Sequence, residues 1–378
     1  NLYLKFKENK FSKPIIYKNV DILKILTSTK LRKEKTGNID YANENSVQII
    51  KAINASIQIC DFTSKLIKEY NPEKFFFEDR GYFPDGIFFE LAIKHKIDVI
   101  EFHVGHKSGI LNYKRYNAIN KKKHPFSISK NRFEELLNEN IEERKFSEVM
   151  NELNFCYKKG EWYDEVGTAF FKEEISKKHF IKKYKLNPKY PIAIIFSHII
   201  YDATLFFGKD IFKNYEDWLI KTIEYIKKIK KINWLIKCHP ANLVKNNRDK
   251  KSNSEIEAIK NSFGEVPNHI KIIDHKSNES TLSLYKFIDY CLTVRGTVGI
   301  EAACYGIPVI TAGTGRYDNL GFTIDSSSEE EYFRKLRNIR NFKKYKKNKI
   351  FKAIVFAHAI LISKQLETKS INFKYLKT

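Results

Sequence analysis

Four short segments gather side chains that bind anions or move protons: Ser197-His198, Lys237-Cys238-His239-Pro240, Arg295-Gly296-Thr297-Val298-Gly299-Ile300-Glu301 and Gly313-Thr314-Gly315-Arg316-Tyr317. Each directly follows a short apolar run of the kind that forms a buried strand. Gly296 and Gly299 let backbone approach a ligand closely, and the N–H groups opening the next helix can hold phosphate oxygens. His239 offers a phosphate either a neutral donor or an imidazolium. Glu301, one turn into that helix, is expected to accept hydrogen bonds from ribose hydroxyls. Taken singly, each residue has a plainer role: Pro240 stops a strand, the glycines permit tight strand–helix packing, and Glu301 is an ordinary helix residue. Their shared placement after successive strands predicts a nucleotide mono- or diphosphate site.

A second group supplies carboxylates. Glu78, Asp79 and Asp85 follow the apolar run at 74–77, with Asp79 first choice as a general base and helix or turn capping its plainer alternative. His103 and His106 close another apolar run and are further candidates for base or ligand. His103-x-x-His106 has no third ligand in its own segment, so no metal site is expected. Asp202 follows the 192–196 run closely and either faces a ligand or fixes its own loop.

These segments need a frame of alternating strands and helices. In the N-terminal part the pattern predicts a helix over 47–70, a strand over 74–77, a helix over 84–96 and a strand over 98–103, which is the order of a parallel α/β unit. Helices are expected over 130–153 and 167–185. Beyond a proline-marked linker at 186–190, strands are expected at 192–196, 233–238, 269–273, 290–294 and 308–311. Helical segments separate them, so a doubly wound, Rossmann-like domain is predicted. The expected division is an acceptor-side α/β domain at 1–187, a nucleotide-binding domain at 188–345 and a helical tail at 346–378.

The chain has 378 residues, enough for two or three domains, and its 42% hydrophobic content excludes general disorder. Lys and Arg exceed Asp and Glu by 68 − 45 = 23, which favours an anionic partner. The lysines are spread throughout and form no nucleic-acid-binding module, so nucleic acid is not the expected partner, although a basic nucleic-acid-binding protein is the competing reading from another class. Five cysteines lie scattered without a CxxC pair, as free thiols in a reducing compartment do. No uncharged apolar run reaches the roughly 18 residues of a membrane span. The opening NLYLKFKENK lacks both Met and an apolar signal core, as a trimmed cytoplasmic chain would. The basic stretch 334–349 is either a solvated helix face or a docking patch for anionic lipid. The absence of GxGxxG after the first strand of either half, and of GxxxxGK[ST] anywhere, disfavours a dinucleotide dehydrogenase and a P-loop NTPase.

The segment LIKCHPAN at 235–242, followed by TVRGTVGIEAACYGIPVITAGTGRYDNLGFT at 293–323, resembles the capsule-polysaccharide-biosynthesis glycosyltransferases, a group that includes bacterial Kdo transferases. The likeness covers about 192–325. It implies a GT-B fold, with two Rossmann-like domains facing across a cleft. It implies that His239 contacts the donor phosphate and that Thr297, Gly299 and Glu301 line the nucleotide pocket. It also implies an inverting transfer to a carbohydrate or lipid-linked saccharide acceptor at the cytoplasmic face of the inner membrane, with CMP-Kdo the first-choice donor. The chain has no DxD, so His239, Lys237, Arg295 and helix amides are expected to neutralise the leaving group without metal or another cofactor. The nearest rival is a polyol-phosphate transferase resembling the CDP-glycerol glycerophosphotransferases, from which Glu301, read as a ribose ligand, is the distinguishing feature.

Overall fold

The computed structural model describes residues 14–41, 44, 46–139, 142–162, 171–202, 205–249 and 255–367. These form two compact units, the first of residues up to 103 with 113–125 and 201–207, the second of 104–112, 126–200 and 208 onwards.

In the first unit a short antiparallel pair, β1 (Ile16–Tyr17) and β2 (Val20–Asp21), leads into helix α1 (Ile22–Glu34). The Asp21 carboxylate caps α1 by accepting from the Lys24 N–H at 3.1 Å. Helix α2 (Ser46–Tyr70) buries Ile49, Ile53, Cys60 and Ile67, one stripe at helical spacing. Strand β3 (Lys74–Phe77), helix α3 (Asp85–Lys94) and strand β4 (Asp98–Val104) make the expected parallel unit, with Phe77 opposite Glu101. Strand β5 (Ile110–Tyr116) lies beside β4. Phe206 and Phe207, from the loop after the 192–196 run, pack with Ile22, Ile53, Ile87 and Leu91 in this unit's core.

The second unit holds helices α4 (Lys130–Leu137), α5 (Glu142–Lys159) and α6 (Lys177–Lys183), then the parallel sheet and its crossovers. These are β6 (Ile192–Phe196), α7 (Tyr215–Ile226), β7 (Asn233–Lys237), α8 (Asn242–Asp249), α9 (Glu255–Phe263), β8 (Ile270–Ile273), α10 (Thr281–Leu284), β9 (Tyr290–Thr293), α11 (Thr297–Cys304) and β10 (Val309–Thr311). Helices α12 (Glu329–Arg337) and α13 (Lys347–His358) and strand β11 (Leu366–Glu367) complete it, β11 pairing with Ile110 and Leu111. The sheet order β10-β9-β6-β7-β8 places the first strand at the centre, the doubly wound arrangement read from the sequence. Strand β6, IAIIF, is buried throughout because both sheet faces are covered. Ile192, Ile194 and Phe196 join one core, and Ala193 and Ile195 the other.

The chain is thus of the α/β class expected, with Rossmann-like parallel sheet structure. Three expectations change. The predicted helix over 130–153 is two helices: α4, begun by the Ser129 cap on Arg132 N–H, ends at Leu137, and α5 starts at Glu142. The predicted helix over 167–185 is only α6, begun by the Ser176 cap on His179 N–H; residues 163–170 lie outside the described ones. Finally, the boundary drawn at 187 and the separate tail at 346–378 do not match the compact units. Phe133, Leu153 and Phe180 share one core with Ile194, as do Ala353, Ile354 and Phe356 of α13.

Candidate functional site

The strand order reverses between β6 and β9, and the carboxyl ends of these two strands carry Ser197-His198 and Arg295-Gly296. An open parallel sheet binds ligands at such a reversal. His198 is the hub. Its Nε2 accepts from the Val294 N–H at 3.1 Å and lies 3.1 Å from Thr293 Oγ1, while its ring stacks on Tyr215 at 4.3 Å. Burial first, then the neighbouring His239, Arg295 and Arg316, drive its pKa well below the usual value. The ring is therefore neutral, with Nε2 as a hydrogen-bond acceptor. Arg295 is buried and ion-paired with Asp210; Arg316, also buried, donates to the Arg295 carbonyl at 3.3 Å.

Two loops hold this edge in shape. Lys209 N–H donates to Thr314 Oγ1 at 2.8 Å, tying the Asp210 loop to the Gly313-Thr314-Gly315 turn. Gly208 has φ +74°, and a Cβ there would stand 2.0 Å from the Thr314 carbonyl oxygen, so the position demands glycine. Helix α11 starts at Gly296 with no side-chain cap, which leaves its N-terminus suited to an anion. Tyr317 donates to the Gly296 carbonyl at 2.9 Å, and a Cβ on Gly299 would meet that hydroxyl at 2.3 Å. Thr297 is half-buried in the first turn.

The His239-Pro240 segment is set by a residue that the sequence reading missed. Glu255, fully buried at the start of α9, accepts from the His239 N–H at 2.8 Å, from Ser197 Oγ and from Asn242 Nδ2. One carboxylate thus joins the ends of β6 and β7 and the start of α8. Burial raises its pKa, and these hydrogen bonds offset part of the rise. Ala241 N–H donates to His239 Nδ1 at 3.3 Å, which leaves the proton on Nε2. The carbonyl of Pro240 accepts from Leu243 N–H, turning the chain into α8. Ser197 also donates to the Lys237 carbonyl, so its hydroxyl braces the frame. Lys237 is buried at the end of β7; desolvation, with Lys172 nearby, pushes its pKa down to about 8.

Glu301 departs from expectation. It is 3% exposed, and its Oε2 accepts from Tyr157 Oη at 2.5 Å and Tyr285 Oη at 3.0 Å. One turn into α11 its side chain faces the core rather than the strand edge, so it braces the helix and is not placed for ribose. Burial pushes its pKa up to about 7, with the two tyrosines and Arg316 opposing.

The candidate carboxylates belong to the first unit. Asp79 Oδ1 accepts from Gly81 N–H at 3.1 Å, and Oδ2 pairs with Arg32 at 2.9 Å. Desolvation raises its pKa against those two partners. Arg32 lies over the Tyr82 ring at 4.4 Å, and Tyr82 Oη reaches Asp202 at 3.4 Å, so Asp202 joins this cluster. Glu78 is exposed; Asp85 is exposed in the first turn of α3, its pKa raised by desolvation and by Glu78. Next to Asp79, Arg80 is buried against Glu101 and the rings of Phe89 and Tyr116, and His103 Nε2 lies 3.2 Å from Glu101.

No family model and no curated protein matches the chain. Among solved structures it is similar to KpsC beta Kdo 2,4 transferase of Thermosulfurimonas dismutans, at 12% identity over 74% of this chain and 78% of that one, with a TM-score of 0.43. For the beta Kdo 2,7 transferase of the same organism the values are 13%, 82%, 84% and 0.43. A UDP-GlcNAc 2-epimerase from Neisseria meningitidis gives 15%, 86%, 83% and 0.36. Likeness at this level carries no functional argument.

Proposed function

We propose that the chain is a glycosyltransferase that takes a sugar from a nucleotide donor whose phosphate sits at the carboxyl edge of the second unit's sheet. The observation that carries this is the placing of His198 and Arg295-Gly296 at the carboxyl ends of β6 and β9, where the strand order reverses, with Arg316 held on the Arg295 carbonyl. An uncapped helix N-terminus at Gly296 supports it. His239 Nε2–H donates to a phosphate oxygen. As the bond from sugar to phosphate breaks, Arg316 and the first amides of α11 offset the charge left on the nucleotide. These fixed groups, with Lys237 and Arg295 near them, make the proposed transfer independent of metal.

The acceptor hydroxyl loses its proton to a carboxylate of the first unit, Asp79 in preference to Glu78 or Asp85, and attacks the anomeric carbon with inversion. A raised pKa makes Asp79 the stronger base, and Gly81 and Arg32 fix its orientation. The proposed donor is CMP-Kdo, on the sequence resemblance, and the acceptor a growing surface polysaccharide or lipid-linked saccharide. Work at the cytoplasmic face of an anionic membrane, through the basic stretch 334–349, belongs to the same proposal. A polyol-phosphate transferase is the second reading. The burial of Glu301 favours keeping it, because the residue that set the two apart is not available to ribose.

Calorimetric titration with CMP, CDP, UDP, GDP and ADP tests the reading, for wild type and His239→Ala. Binding of one nucleotide, weakened at least about tenfold (~1.4 kcal/mol) in folded His239→Ala, is expected. UDP or GDP indicates a hexose donor; CMP fits both a Kdo-like donor and a CDP-polyol, since each transfer leaves CMP, and turnover of CMP-Kdo against CDP-glycerol then separates the two. Silence across the panel with folded protein overturns the proposal.

A further inference from the structure

His106 lies in the connection from β4 to β5, and its sequence neighbourhood offers no third metal ligand. The fold supplies two from elsewhere. Glu152 and Cys156 stand four residues apart on α5, so both project from one face towards the imidazole. One ligand atom from each of His106, Glu152 and Cys156 lies within 4.8 Å of the other two. We propose that these three side chains form a divalent-metal site of zinc type, with an imidazole nitrogen, a carboxylate oxygen and a thiolate sulfur as its protein ligands.

The donor set decides the metal class. Calcium and magnesium take oxygen ligands, whereas a mixed nitrogen, oxygen and sulfur set suits zinc, with a fourth position left for water or another ligand. The burial pattern fits a built site. His106 is 1% exposed and Cys156 fully buried, while Glu152 is only half-buried and Lys107 beside it partly exposed, which gives an ion a way in. His106 Nε2 lies 2.6 Å from Glu152 Oε1, so two ligand atoms already meet. The Gln365 side-chain amide lies 2.6 Å from His106 Nδ1. With its carbonyl oxygen turned to that nitrogen, the amide accepts Nδ1–H and leaves Nε2 to the metal, the usual outer support of a ligating histidine. Trp162 packs edge-on to the same ring at 5.7 Å.

Protonation follows from the surroundings. Burial holds His106 below its usual range, so the ring is neutral and able to ligate. Without metal, hydrogen bonds from His106 Nε2–H and from Lys107 keep Glu152 ionised against the desolvation that opposes them, and the ring proton passes to Nδ1 when Nε2 takes the ion. Burial drives the Cys156 thiol up, so it stays protonated without metal. Binding therefore breaks the S–H bond, forms a sulfur–metal bond and releases one proton to solvent. The metal would clip the β4–β5 connection to α5, independently of what the strand-edge site binds.

The test is titration of the chelator-treated full chain, free of any histidine tag, with Co²⁺ and then Zn²⁺. A single equivalent of Co²⁺ is expected to give a thiolate-to-cobalt charge-transfer band that Zn²⁺ removes, and Zn²⁺ is expected to raise the melting temperature. Cys156→Ser should abolish the band. Glu152→Gln, at a half-buried position and with the thiol intact, should weaken binding about tenfold or more even if the cysteine variant fails to fold. Absence of the band in folded wild type, or an unchanged band in either folded variant, overturns the site and marks any bound metal as adventitious.

Discussion

Glu301 illustrates how much a single carboxylate can differ from its sequence reading. Two tyrosine hydroxyls hold it in the core, and burial pushes its pKa from 4.5 up to about 7. The folded chain thus binds this proton more tightly than the unfolded chain. The group's stabilising contribution is full below the ordinary value of 4.5 and is lost as pH rises through about 7. Glu301→Gln imitates the protonated form and has no such loss. Its melting temperature should gain on wild type as pH climbs through that interval, by thermal unfolding in a pH series; a constant difference would contradict the assignment. His239 is a residue-scale case of the opposite kind, since the role proposed for it is in binding and is read by titration rather than by stability.

At the scale of elements, the candidate site is an alignment of strand ends, and Glu255 is the tie that aligns two of them. Removing its carboxylate leaves the His239 N–H and Asn242 Nδ2 without this acceptor, while Ser197 Oγ keeps the Lys237 carbonyl. Each buried unsatisfied donor costs about 1–3 kcal/mol, so Glu255→Ala should destabilise by roughly 3 kcal/mol after relaxation and should weaken nucleotide binding with it. Glu255→Gln keeps a carbonyl acceptor and should restore most of both, as read by chemical denaturation and calorimetry. If the alanine variant bound nucleotide like wild type, the tie would be structural only. The frame itself was legible in sequence because β6, β7 and β9 are short apolar runs ended by polar residues, the mark of strands covered on both faces. Strand β5, LNYKRY with an apolar start, escaped notice because its charged residues hide the alternation.

For the whole molecule, the proposal divides labour between two units, donor phosphate in the second and base in the first. Asp79→Asn should therefore lower turnover by two orders of magnitude or more, the usual yield of general-base catalysis being ~10²–10⁴-fold. Its nucleotide affinity should stay within about twofold of wild type. Steady-state rates with calorimetric affinities check this, and full activity would move the base to Glu78 or Asp85. Arg32 bears on the same experiment, because it pairs with Asp79 and with the Tyr82–Asp202 cluster. Loss of the charge at 79 is thus felt by Arg32, and a circular dichroism control separates lost fold from lost chemistry.

By itself the sequence determined the α/β class, the strand that each candidate segment follows and the presence of a basic, glycine-marked edge. These depend on local patterns: apolar runs, turn residues and helix starts within a few positions of one another. Only the tertiary structure decided which way side chains face and which distant residues meet them. Glu301 turned inward because tyrosines from α5 and from just beyond α10 wait there. Glu255 reached the His239 loop, Arg316 reached Arg295, and Glu152 with Cys156 reached His106. The residues in each pair lie between sixteen and fifty positions apart. Sequence periodicity fixes a face within one element, but packing between elements is settled by burial and hydrogen bonding across the fold, and no local pattern records it.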